Sequence, residues 1–148
     1  MKIGLYRHTG LIPCAIKWQT RSEYSHGAIL FSDGVLIEAT WPKVQRVVNP
    51  APDHKVDWFE IAGLTEDQER TIRCFCESQV GKPYDLTMVV RFVTRRQESR
   101  KSTGKWFCSE LVFAACQKAG IDLLSRIEPW AVSPELLSLS PLLLPEHP

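Results

Sequence analysis

Along the first sixty residues, apolar positions recur at the short intervals of β-strands. Residues 2–7, "KIGLYR", alternate like a short strand. "SHGAILF" and "VLIEAT" are two β-type runs separated by "SDG", a hairpin signal. "VQRVV" and "KVDWFEI" predict two more strands, parted by the turn-forming "NPAPDH". Only "LIPCAIKW", residues 11–18, breaks this rhythm, with apolar residues at helical spacing that predict a short helix.

At residue 65 the period changes. "TEDQ" is a capping box, with Thr65 as N-cap and Gln68 at the third helical position, and its helix should run to about Val80. "GKP" interrupts, and "YDLTMVVRFVTR" predicts another helix with Asp85 near its start. "QESRKSTGK" is polar and rich in turn residues, which makes residues 97–104 a loop and the one candidate hinge or lid. Residues 108–119 are helical again, with Gly120 placed to close the helix as its C′ residue. "SPEL" offers Ser133 as a cap with Pro134 in the first helical position. Strands first and helices afterwards predict an α+β fold: a small antiparallel sheet of about five strands flanked by helices. No linker divides the chain, so residues 1–148 are expected to form a single domain.

Composition adds mainly exclusions. A net charge of +1 offers no electrostatic footprint for nucleic acid. No run of 18 apolar residues occurs, so no stable membrane insertion is expected. "MKIGLYRHTG" lacks the apolar stretch of a signal peptide, so the expected compartment is the cytoplasm, with release by lysis as an alternative. The five cysteines (Cys14, Cys74, Cys76, Cys108, Cys116) are odd in number and not spaced as a secreted disulfide framework, so they read as reduced thiols.

Chemistry concentrates in the segment "KWFCSELVF". A free thiol has a pKa of about 8.5 and is a sluggish nucleophile at neutral pH. A helix N-terminus and a neighbouring imidazolium both favour the thiolate. Cys108 stands where the extended "KWF" gives way to the helix, which supplies the first. The second needs one of four histidines, and His26, at the head of the β-run "SHGAIL", is the strongest candidate. Glu38 lies inside the apolar strand "VLIEAT", where a charge is unfavourable unless paired.

Hairpin register decides whether His26 and Glu38 meet. A two-residue loop, Asp33-Gly34, would pair Ile29 with Glu38 and turn the carboxylate away from His26. A three-residue loop, Ser32-Asp33-Gly34, pairs Ala28 with Glu38 and makes the two diagonal neighbours on one face. "SDG" suits the longer loop, a type I turn followed by left-handed glycine. The shared face is then His26, Ala28, Leu30, Leu36, Glu38 and Thr40, against Ile29, Phe31, Val35, Ile37 and Trp41 on the other. Both are largely apolar, so the hairpin should be covered on both sides, with the Cys108 helix on the His26 side.

Taken in order, "YSHGAIL", "VLIEAT", "GKPYD", "WFCSELVFAAC" and "VSPELL" resemble the permuted papain-like cysteine hydrolases, the YiiX/YaeF-like branch of the NlpC superfamily. The lecithin–retinol-acyltransferase-type enzymes are more distant relatives. The resemblance implies a papain-like fold in which the histidine precedes the cysteine. It also implies a nucleophile at Cys108, a base at His26 and an orienting acid at Glu38. The match of "G-x-P-Y" to residues 81–84 makes the Tyr84 hydroxyl a candidate for substrate or oxyanion contact. Trp106 is a candidate wall of the substrate site, with core packing as the alternative. No metal or cofactor is expected.

The implied function is a cysteine peptidase or amidase that cleaves an amide bond, in peptidoglycan stem peptides or other isopeptides, through a thioester. A lipid-directed thiol acyltransferase or phospholipase acting on an acyl substrate is one alternative, and a silent binding module of the same fold is the other. Cys116, two turns after Cys108, reads as core. Cys74 and Cys76 point to different sides of a helix and make poor joint ligands. His8 and His54 read as surface histidines, and Arg91, Arg95 and Arg96 as a solvated basic face.

Overall fold

The computed structural model describes residues 1–7, 23–87 and 104–146. Five strands fall where the alternation placed them: β1 (Lys2–Tyr6), β2 (His26–Leu30), β3 (Val35–Ala39), β4 (Val44–Val48) and β5 (Val56–Ile61). A sixth, β6 (Leu143–Pro145), was not anticipated. It spans three residues, too short for a period, and ends in a proline that only a sheet edge tolerates. The sheet is antiparallel in the order β4-β3-β2-β1-β5-β6. The N-terminal strand therefore lies inside it, between β2 and β5.

The β2–β3 hairpin takes the longer turn. Ala28 faces Glu38, and the Phe31 N–H donates to the Val35 carbonyl at 2.8 Å, which closes a three-residue loop. Gly34 adopts φ +79°, the left-handed conformation that this turn needs and that glycine reaches without steric cost.

Two longer helices and one short helix follow the strands. α1 (Glu66–Gln79) begins with the expected capping box: Thr65 Oγ1 accepts the Gln68 N–H at 3.3 Å, and Gln68 Oε1 accepts the Thr65 N–H at 3.0 Å. α2 (Cys108–Lys118) ends at Gly120, φ +73°, with Ile121 N–H to Cys116 O and Gly120 N–H to Gln117 O, the paired bonds of a Schellman closure. α3 (Pro134–Ser138) is capped by Ser133, whose Oγ accepts the Leu136 N–H. The predicted helices over 11–18 and beyond Thr87, the loop 97–104 up to residue 103, His8, Cys14 and the arginine patch lie outside the described residues.

The main core joins Ile3, Leu5, Ile29, Phe31, Ile37 and Ala39 of the sheet to Ile72 and Cys76 of α1 and Leu111, Val112 and Cys116 of α2. Each large side chain buried here contributes about 1.5–3 kcal/mol. This corrects one expectation. α2 packs on the Ile29 face of the hairpin, not on the His26 face: a methyl added at Gly27, whose side points away from His26, would lie 3.8 Å from Val112 Cγ2. The reason is polarity. The Ile29 face is apolar throughout, whereas the other carries an imidazole and a carboxylate that a dry helix interface would desolvate. That second face keeps a smaller cluster of Tyr6, Ala28 and Leu36, against which Leu30, Val47, Val56 and Trp58 pack.

Gly4 and Gly27 make opposite predictions. A Cβ on Gly4 would sit 2.6 Å from Trp58 Cζ3, so Gly4→Ala should cost about 1–3 kcal/mol through overpacking. On Gly27 it would meet only ordinary contacts, the nearest at 3.6 Å, and Gly27→Ala should be close to neutral. Urea midpoints of the two variants check the difference.

Candidate active site

The site forms where β2 begins, β3 ends and β4 begins. The Ser25 N–H and Oγ both donate to the Tyr6 carbonyl, which pins the entry to β2 and sets His26 directly beside Tyr6. Their rings pack with centroids 5.5 Å apart. His26 Nε2 and Glu38 Oε2 are 2.5 Å apart, the diagonal contact that the longer turn allows. The other carboxylate oxygen, Oε1, accepts from Gln45 Nε2 at 2.6 Å, and Gln45 stands directly opposite Glu38 on β4.

Cys108 arrives from the other side, as the first residue of α2. Its N-cap is Phe107, which has no polar side chain to satisfy the first helical N–H groups. The local backbone dipoles therefore face whatever lies at the helix start, a position that favours an anion. Glu110 accepts the Phe107 N–H at 3.3 Å, and Ser109 Oγ donates to the Val132 carbonyl at 2.6 Å, so the turn that carries the thiol is held on both flanks. The Cys108 thiol interacts with the His26 ring, which Glu38 engages through Nε2.

Tyr84 completes the cluster. Residues 81–84 run alongside the start of β4: Gly81 N–H donates to Val44 O, Val44 N–H to Lys82 O and Tyr84 N–H to Pro42 O, each at 2.9 Å. The Tyr84 side chain thereby lies beside Cys108. Asp85 is buried; its N–H donates to Trp106 O, and its Oδ1 accepts the Thr87 N–H at 3.0 Å, opening a helical turn at Leu86.

Burial alone works against an imidazolium at His26. Hydrogen bonds to Cys108 and then Glu38, joined by the negative charge of both, outweigh it and push the His26 pKa up to about 10. Tyr84 is pushed up from the ordinary phenol range by burial, then by the charges of Cys108 and Asp85 and its bond to sulfur, so it stays a protonated donor. Tyr6 is raised by burial and the charges of Glu38 and Asp53. An imidazolium at His26 beside the Glu38 carboxylate is thus favoured, with the neutral phenols of Tyr6 and Tyr84 around it.

Four of the five expected residues, His26, Glu38, Cys108 and Tyr84, come together. Trp106 packs against the main core, the alternative reading for it. Its indole N–H donates to Gln79 Oε1 at 3.0 Å and its ring meets Phe75 edge-on, so that N–H is not available to an oxyanion. Its backbone forms a bridge with Tyr84, which makes it a support for the phenol. The sequence reading missed Gln45 and Tyr6. The signal is present only in part: once Glu38 is assigned to a face, the residue opposite it on the next strand shares that face, but no local motif between β3 and β4 fixes which residue that is. Cys116 and Cys76 are buried, Cys76 with its thiol pushed up to about 12 by burial, and Cys74 is exposed, as the helix geometry required.

The fold is YiiX-like. Superposition on the crystal structure of the metalloprotein YiiX from Escherichia coli O157:H7 gives a TM-score of 0.74 at 19% identity, over 99% of this chain and 94% of that one. No family model matches the sequence, and no curated protein matches it. Among the described residues no group of three or more His, Cys, Asp or Glu side chains could hold a metal ion. No helix among the described residues is long and apolar enough to cross a membrane.

An NMR titration of the His26 ring tests this electrostatic reading. The midpoint should lie near pH 10 rather than near the free-histidine value of about 6.5. Both partners raise it, so Cys108→Ala and Glu38→Gln should each lower it, the former more. A wild-type midpoint near 6.5 would contradict the geometry.

Proposed function

We propose that the protein is a cysteine hydrolase of the permuted papain-like kind, with Cys108 as nucleophile, His26 as general base and acid, and Glu38 as the acid that orients it. The observation that carries this reading is the imidazole of His26 held between the Glu38 carboxylate and a thiol at a helix N-terminus. The order along the chain, histidine first and cysteine last, agrees with the permuted arrangement.

In the proposed reaction the Cys108 thiolate attacks the carbonyl carbon of an amide, forming a C–S bond and an oxyanion. The Cys108 N–H, which as a first-turn donor has no partner within its helix, and the Tyr84 hydroxyl stabilise that oxyanion. On collapse the C–N bond breaks, and His26 gives a ring proton to the leaving amine. A thioester remains. Water then attacks it with His26 as base, the C–S bond breaks, and a carboxylic acid is released with the thiolate–imidazolium pair restored. Glu38 stays ionised throughout and stabilises the imidazolium. Cys108 is fully buried, so substrate entry needs its cover displaced, and small acyl donors are the natural first probes.

The substrate class proposed first is a peptide or isopeptide amide, as in peptidoglycan stem peptides. An ester-lipid substrate is the alternative, supported by two exposed apolar side chains near the paired residues Pro42 and Tyr84 in the chain, Trp41 at 65% and Leu86 at 42%. Parallel assays on muropeptides and phospholipid vesicles separate the two.

Against whichever substrate is turned over, Cys108→Ala should lower kcat/KM by on the order of 10⁴ or more while far-UV circular dichroism stays unchanged. Glu38→Gln should retain partial activity, down about 100-fold. Tyr84→Phe should lose about 100-fold in kcat with little change in KM, as expected for one oxyanion donor. Undiminished hydrolysis by Cys108→Ala would end the proposal.

A further inference from the structure

We infer that Gln45 is a positioning residue of this site, whose side-chain amide on edge strand β4 fixes the Glu38 carboxylate in the orientation that serves His26. The inference rests on the reading of His26 and Glu38 as base and acid, and adds a fourth member behind them.

The geometry is reciprocal. Glu38 presents Oε1 to Gln45 Nε2 at 2.6 Å and Oε2 to His26 Nε2 at 2.5 Å. The Glu38 side chain is 16% exposed, so a turn toward solvent would be open to it if Oε1 lost its partner. An amide N–H₂ can only donate, and it donates more strongly to an ionised carboxylate than to the carbonyl of a protonated one, so the contact favours the charged form of Glu38. Glutamine also suits this position for a second reason. A lysine or arginine would hold the carboxylate equally well but would cancel its charge, and the imidazolium would lose much of its electrostatic support. A neutral donor fixes the orientation and leaves the charge intact.

The anchoring of β4 makes this placement firm. Gln45 follows Val44, whose N–H and C=O are both taken up by residues 81–82, and Pro42 accepts the Tyr84 N–H. Residues 42–45 therefore position the acid through a side chain and the candidate oxyanion donor through the backbone. Among the charged and titratable groups that face the pair are Cys108 beside His26 and Tyr6 beside Glu38, with Tyr84 beside Cys108 and Asp53 near Tyr6.

The test is a double-mutant cycle with two readouts, the His26 titration midpoint by NMR and the steady-state kcat and KM. Gln45→Met, which keeps length and removes the donor, should lower kcat about tenfold, the size of coupling expected between hydrogen-bonded neighbours, with KM unchanged. It should also move the His26 midpoint toward that of Glu38→Gln. In the Glu38→Gln background, Gln45→Met should change neither quantity further. Additive losses, or a His26 midpoint unmoved by Gln45→Met, would overturn the inference, because a purely structural glutamine would lower stability without touching the ring. Gln45→Leu serves if the methionine variant does not fold. If the hydrolase reading itself fails, no variant turns over substrate, yet the titration still decides the role of Gln45.

Discussion

The ion pair between His26 and Glu38 is the contact on which the rest of the site depends, and its existence hangs on the length of one turn. Side chains of a strand alternate between faces, so a hairpin loop shorter by one residue would send Glu38 into the apolar face beneath α2. There it would be a buried charge without a partner, and His26 would have no anchor for its ring. Serine, aspartate and a left-handed glycine fix the longer loop, and the carboxylate falls beside the imidazole.

The two faces of the sheet divide the work. One is apolar and supports α1 and α2, and most of the burial free energy resides there. The other carries polar groups near its end and only a small apolar cluster. α2 crosses the dry face, yet its first residue emerges where the strands stop, and there the thiol meets a ring that projects from the opposite face. This geometry anchors the buried Cys108 on a rigid helix beside a ring that projects from the opposite face. α2 has no polar N-cap side chain, so none consumes its first-turn N–H donors.

Electrostatic balance explains why such a site is tolerable in a marginally stable fold. A lone buried imidazolium or thiolate would cost several kcal/mol. The Glu38 carboxylate offsets the His26 cation, and Gln45 supplies a neutral donor to the other carboxylate oxygen.

Much of this could be read from local patterns, because local physics decides it. The five longer strands, the capping box at Thr65, the glycine closure after α2 and the hairpin register all follow from residues within a few positions of one another, and so did the meeting of His26 with Glu38. Tertiary structure alone decided which face α2 covers, that the N-terminal strand lies inside the sheet, that β6 closes its edge, that Gln45 stands behind Glu38 and that the Trp106 indole turns to Gln79. These depend on pairings between segments far apart in the chain, where several arrangements satisfy the same alternation of apolar and polar residues. The choice among them is made by how much apolar surface each buries and by which polar groups it leaves satisfied, and neither quantity exists until the whole chain has packed.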